Sequence, residues 1–163
     1  MTHTLTSGLS ARLRTMCAHD LVSTQKLIDA LRGRGGVTQE VWDKLGHVVA
    51  AQHLWMHRFG AMDDAPDEVF PSGWPLERVE TYALEIGARW SAYVEALDDA
   101  RCDEIVEYTS IEGTRHRNVL GDILIHLSMH GQYHRGQIAR LMRDVTDGPV
   151  VMDYIYSVRE DLD

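Results

Sequence analysis

The chain has 163 residues, 44% of them apolar, and sets 16 basic against 25 acidic side chains for a formal charge of −9. That length and apolar content fit a single domain over residues 1–163 with its own core and exclude a disordered chain. The acidic surface argues against nucleic acid as the main partner, and no apolar run approaches the ~20 residues that span a bilayer. The opening MTHTLTSGLSARLR lacks the charged-then-apolar order of a secretory signal, and Cys17 and Cys102 form neither a CxxC pair nor a zinc-finger pattern. A cytoplasmic location with two unrelated reduced thiols is expected.

Four long segments carry helical spacing. The first runs from about Ser7 to Leu31, with Leu9, Leu13, Met16, Thr24, Leu27, Ile28 and Leu31 on one side, and ends in RGRGG, where glycine supplies a left-handed cap. The second opens at Thr38, a suitable N-cap, and carries Val41, Leu45, Val48, Gln52, Trp55, Met56 and Phe59 before stopping in DDAPDE. A loop containing PSGWP follows, and Pro75 suits the first turn of a third helix whose apolar side runs from Leu76 to Leu97 through Ile86 and Trp90. Between Arg101 and Arg117 the period changes: β-branched and aromatic residues flank Glu112-Gly113, which reads as a short extended excursion or hairpin. Asn118 is expected to cap a fourth helix reaching about Val145, and the tail after Pro149 either adds one helical turn or lies extended. Four amphipathic helices with one core stripe each pack most simply as an all-α four-helix bundle.

Three of the nine histidines, His126, His130 and His134, stand on consecutive turns of the fourth helix. At ~100° per residue, His130 and His134 fall inside the apolar stripe with Ile123, Leu127 and Ile138, His126 falls on its shoulder, and Arg135 points elsewhere. An imidazole in a core must be partnered, since burying it unpaired costs free energy. Two readings satisfy that need: core histidines bonded to backbone or carboxylate, or a metal site, because an i,i+4 pair lets two rings reach one ion on one face. In the metal reading Gln137, or a tyrosine of a neighbouring helix, could hold the second ring nitrogen. The second helix offers a third ligand from His47, His53 or His57. The same angular reckoning puts His53 and His57 on its solvated side and leaves His47 able to reach a partner helix. His3, His19 and His116 have weaker claims.

The stretch LGDILIHLSMHGQYHRGQIARL, with KLGHVVAAQHLWMHR upstream and DYIYSVRE in the tail, resembles the DinB family of metal-binding four-helix proteins over nearly the whole chain. The resemblance implies a bundle with a long crossover, often found as a homodimer. It implies a divalent metal, commonly zinc or nickel, held by His47, His130 and His134, and it leaves His126 as a core ring or a ring that orients the ligands. Three neutral ligands leave the charge of the metal intact and a coordination position open, which suits a catalytic centre. A thiol placed there would ionise. The expected function is a metal-dependent thiol S-transferase-like enzyme that joins a low-molecular-weight thiol to an electrophile. The alternative is a stress-linked metal-binding module without catalysis. Arg135 and Arg140 are either anion anchors or solvated helix-face cations, Cys17 reads as a buried inert thiol, and Trp55 and Trp90 read as core.

Overall fold

The computed structural model describes residues 8–160; His3 and the ends of the chain lie outside them. The fold is mostly helical with one small antiparallel sheet. Its elements are α1 (Leu9–Leu31), α2 (Gln39–Arg58), α3 (Leu76–Glu95), a single turn α4 (Asp99–Cys102), β1 (Ile105–Thr109), β2 (Arg115–Val119) and α5 (Leu120–Leu141), followed by a 3-10 turn at Tyr154–Ser157. Among the described residues no helix is long and apolar enough to cross a membrane.

Each helix follows from its stripe. On α1, Leu13, Cys17, Leu27, Ile28 and Leu31 are buried. The helix ends where Arg32 donates its N–H to the Ile28 carbonyl and Gly33 takes a φ of 74°, the left-handed turn that RGRGG predicts. Its start is held from a distance: the Asp99 carboxylate accepts the Ser10 N–H at 2.8 Å. Thr38 marks the entry to α2 in an extended conformation, without a side-chain capping bond. α1 packs on α3 and α5, and α2 packs on the same two helices.

The excursion is a hairpin. Ile105 pairs with Val119 and Thr109 with Arg115, with the turn between them over Glu112-Gly113. β2 runs straight into α5, so Asn118 does not cap that helix. It lies in the strand, and its side-chain oxygen accepts a hydrogen bond from the Tyr108 hydroxyl at 2.9 Å. α5 stops at Leu141, short of the expected Val145, and the intervening residues form turns through Met142. The tail supplies the extra turn, latched to α1: the His19 ring contacts the Ser157 hydroxyl at 2.7 Å and the Met152 carbonyl at 3.0 Å.

Two apolar clusters fill the interior. One gathers Leu13, Cys17, Val49, Met56, Ile86, Trp90, Leu120, Leu124 and Leu127. The other gathers Leu27, Leu31, Val41, Leu45, Val79, Ile138 and Met142. On α1 and α5 the two clusters are separated by a buried polar layer, with Asp20, Ser23 and Thr24 on α1 and Arg135 on α5. Arg135 is not a solvated cation or an anion anchor. Its side chain is 1% exposed and its Nη2 stands 2.6 Å from the Asp20 carboxylate. Gln52 of α2 donates to the other Asp20 oxygen at 2.7 Å. Gly131 makes the room: a Cβ there would lie 2.5 Å from Asp20 Oδ1 and 2.7 Å from Arg135 Nη1. Burial lifts the Asp20 carboxyl above its usual range, and the Arg135 guanidinium opposes that rise.

Candidate metal centre

His130 and His134 lie in the same middle layer of α5 as Arg135, and His47 sits between Leu45 and Val49 on α2, again between the two apolar clusters. The three rings converge. One ligand nitrogen of each lies within 4.8 Å of the others, and among the described residues this is the one such grouping of histidine, cysteine and carboxylate side chains. His47 Nε2 faces His130 Nε2 at 3.2 Å. Ring centroids are 4.8 Å apart for His47 and His134, and 4.5 Å for His130 and His134. All three side chains are partly buried.

The surrounding contacts fix which nitrogens are free. His47 Nδ1–H donates to the Val69 carbonyl at 2.7 Å; a carbonyl can only accept, so the lone pair of this ring is on Nε2, toward His130. His134 Nδ1–H donates to Gln137 Oε1 at 3.2 Å, and Lys44 donates to the same oxygen at 3.3 Å, which leaves the His134 lone pair on Nε2. Burial, then the neighbouring His134 and His47, pushes His130 down from 6.5 to about 4, so its ring is neutral at ordinary pH. Burial and His47 lower His134 as well, against the Gln137 hydrogen bond.

A divalent cation fits this arrangement. Two nitrogens bound to one tetrahedral ion at ~2.0–2.1 Å stand ~3.3 Å apart, close to the His47–His130 spacing of 3.2 Å. Second ring nitrogens tied to a carbonyl and an amide oxygen are the usual outer support of histidine ligands. The group contains three imidazoles and no carboxylate or thiol. Two exposed aromatic side chains flank it. Phe70 stacks on His47 with centroids 4.6 Å apart and planes 12° from parallel, and Tyr133 meets His134 edge-on at 5.1 Å.

Gly46 explains how the loop before α3 reaches His47. A Cβ at that position would lie 2.8 Å from Pro71 Cγ. Its absence lets the loop close on α2, bringing the Val69 carbonyl and the Phe70 ring to the imidazole. Neither Val69 nor Phe70 is found by sequence reasoning; the small residue beside His47 is the signal that could have pointed to them.

The other histidines separate clearly. His126 is exposed rather than in the core, its ring 5.8 Å from that of His130. His57 is exposed as expected. His53 is not: it is 4% exposed, with Nδ1 2.7 Å from the Tyr82 hydroxyl and Nε2 3.1 Å from the Asp64 carbonyl. α2 is covered on that side by α3 and by the loop that carries Asp64, so a one-stripe reading of α2 misplaces it. His116 is exposed on β2. Cys17 is buried and its thiol is pushed up to about 12 by burial, which makes it inert. Trp90 is core, whereas Trp55 is partly exposed beneath Arg58, and Arg140 is exposed.

In comparison with known proteins, the sequence model of the DinB family matches residues 26–161. Neither a curated protein nor a solved structure matches the chain.

Proposed function

The chain belongs to the DinB family, and on that footing we propose that His47, His130 and His134 hold one zinc or nickel ion in a thiol S-transferase-like enzyme. The observation that carries the proposal is the convergence of three imidazoles from α2 and α5 on a partly buried face. When bound, the metal would supply the positive charge that ionises a thiol near neutral pH. The protein does the rest. The Val69 carbonyl and Gln137 aim two of the rings, burial keeps His130 unprotonated, and Phe70 and Tyr133 wall the opening where the electrophile approaches.

The helix pairing, with α1 and α2 each packed on α3 and α5, supports a four-helix bundle in which the successive helices α1 and α2 are joined by a crossover. One domain over the whole chain, a cytoplasmic site of action and a homodimer complete the reading. The charge of −9 favours a small-molecule substrate over nucleic acid.

A second reading has its own support. The centre brings together imidazoles alone, with no carboxylate in the group to move a proton, which suits a metal-binding module without catalysis. One experiment separates the two. Protein expressed without a polyhistidine tag is loaded with cobalt and titrated with small thiols. A sulfur-to-metal charge-transfer band, with accelerated conjugation to an electrophile, is the result expected of the enzyme. Bound metal with neither band nor acceleration leaves the binding module.

A further inference from the structure

The supports of His47 and His134 differ in kind. His47 is held by a backbone carbonyl, which can only accept, so covalent structure alone fixes the sense of that hydrogen bond. His134 is held at 3.2 Å by the side chain of Gln137. A primary amide has two ends of nearly equal shape, one accepting and one donating. Turned one way, it accepts from His134 Nδ1–H and leaves the lone pair on Nε2. Turned the other way, its NH2 group donates to Nδ1, and the ring proton passes to Nε2, where it would occupy the nitrogen left for an ion.

Lys44 removes that ambiguity. It lies three residues before His47 on α2, as Gln137 lies three residues after His134 on α5. Its ammonium reaches Gln137 Oε1 at 3.3 Å, the same oxygen that faces His134 Nδ1. An ammonium has three donors and no acceptor, so the end of the amide turned toward it is the oxygen. A reversed amide would set its NH2 group against the ammonium and lose that hydrogen bond. Among the described residues no other group engages the Gln137 side chain, so Lys44 alone distinguishes the two senses for His134. Glu40, four residues earlier on α2, stands 3.6 Å from the same ammonium and holds it on this face. The Lys44 side chain is 27% exposed. At such a partly screened site one charge-assisted hydrogen bond biases the amide by about three- to tenfold.

We propose that Lys44 is a positioning residue of the three-histidine centre: it acts through Gln137 to hold His134 in the Nδ1–H form, with Nε2 free for the ion. The assignment rests on the metal reading above and adds to it a residue that touches neither the ion nor a ligand ring. The positive charge of Lys44 offers a dication no attraction. Its contribution is therefore the sense of one hydrogen bond, and the quantity that reports it is the place of the His134 ring proton.

The test is nitrogen NMR of the full chain, metal-free and isotope-labelled at the histidine ring nitrogens, at a pH where the rings are neutral. The His134 signals are assigned by their loss in His134→Gln. In the parent, His134 Nε2 is expected to resonate mainly as an unprotonated ring nitrogen. In Lys44→Met the amide is free to turn, and the ratio of the Nδ1–H to the Nε2–H form is expected to fall about three- to tenfold. Lys44→Arg, again a donor without an acceptor, restores the parent pattern. In Gln137→Glu both terminal oxygens accept, so adding Lys44→Met to that variant leaves the His134 proton in place. A merely structural role for Lys44 would not vanish with that change. An unchanged ring proton in Lys44→Met, or an equal shift in the Gln137→Glu background, overturns the assignment. Zinc is then added to the parent sample. If the His134 signals respond to zinc while Lys44→Met leaves the ring proton where it was, the metal reading stands and the Lys44 assignment falls. If no histidine signal responds to zinc, the metal reading fails and this assignment falls with it.

Discussion

Replacing Arg135 with methionine would leave the Asp20 carboxylate in the middle layer with its cation gone. Both side chains are nearly inaccessible, 1% and 4% exposed, so water cannot take over from the guanidinium. Gln52 would remain on one carboxylate oxygen, and the other would face the space vacated by Nη2. Breaking one side of a buried pair costs about 3–5 kcal/mol, which for a chain of this size lowers the melting temperature by roughly 6–20 °C. The pair itself contributes far less than that, because taking both charges from water offsets most of their attraction. Removing both, in Asp20→Leu with Arg135→Met, is therefore expected to recover most of the loss. Urea denaturation of the two single variants and the double variant gives the coupling energy directly. A loss under about 1 kcal/mol in Arg135→Met, within the range of ordinary surface changes, would refute the view that this pair holds the middle layer together.

Three further outcomes follow from the centre and its surroundings. Gly46→Ala places a methyl group where Pro71 now lies, 2.8 Å away, and pushes the Val69 carbonyl off His47; metal affinity by competition with a chelator should fall about 10–100-fold, as for other losses of a ligand's outer hydrogen bond. His53→Ala cuts the contacts to Tyr82 and Asp64 and should lower stability by about 1–3 kcal/mol, while metal stoichiometry stays at the parent value, since His53 lies outside the ligand group. In the metal-free protein, His130 binds protons less readily folded, at about 4, than unfolded, at 6.5. The unfolded chain thus takes up protons first, and stability is expected to decline as pH falls from about 6.5 toward 4, visible as a falling urea midpoint that His130→Gln flattens.

How much of this could be read from residues alone follows the periodicity. A histidine pair at i,i+4 inside an apolar stripe is visible in a string of letters, and so is the hairpin turn at Glu112-Gly113, because both depend on local spacing. Arg135 is misread because a charge on a helix is ordinarily solvated; the partner that makes burial tolerable, Asp20, is on another helix, and no local pattern joins the two. His53 fails for a related reason. One stripe per helix assumes one packing partner, and α2 meets α3, α5 and a loop. Val69 and Phe70 lie in an irregular segment without a period, so their approach to His47 is tertiary information throughout. Asn118 looks like a cap by composition, yet a strand feeds directly into α5 and uses the residue for pairing instead.

The central claim is that one divalent ion is shared by His47, His130 and His134. X-ray absorption on tag-free, zinc- or nickel-loaded protein tests it most directly. The prediction is one ion per chain with three imidazole nitrogens, at ~2.0–2.1 Å for zinc, falling to two with sharply weakened binding in His47→Ala. Full metal occupancy with an unchanged nitrogen shell in His47→Ala would contradict it.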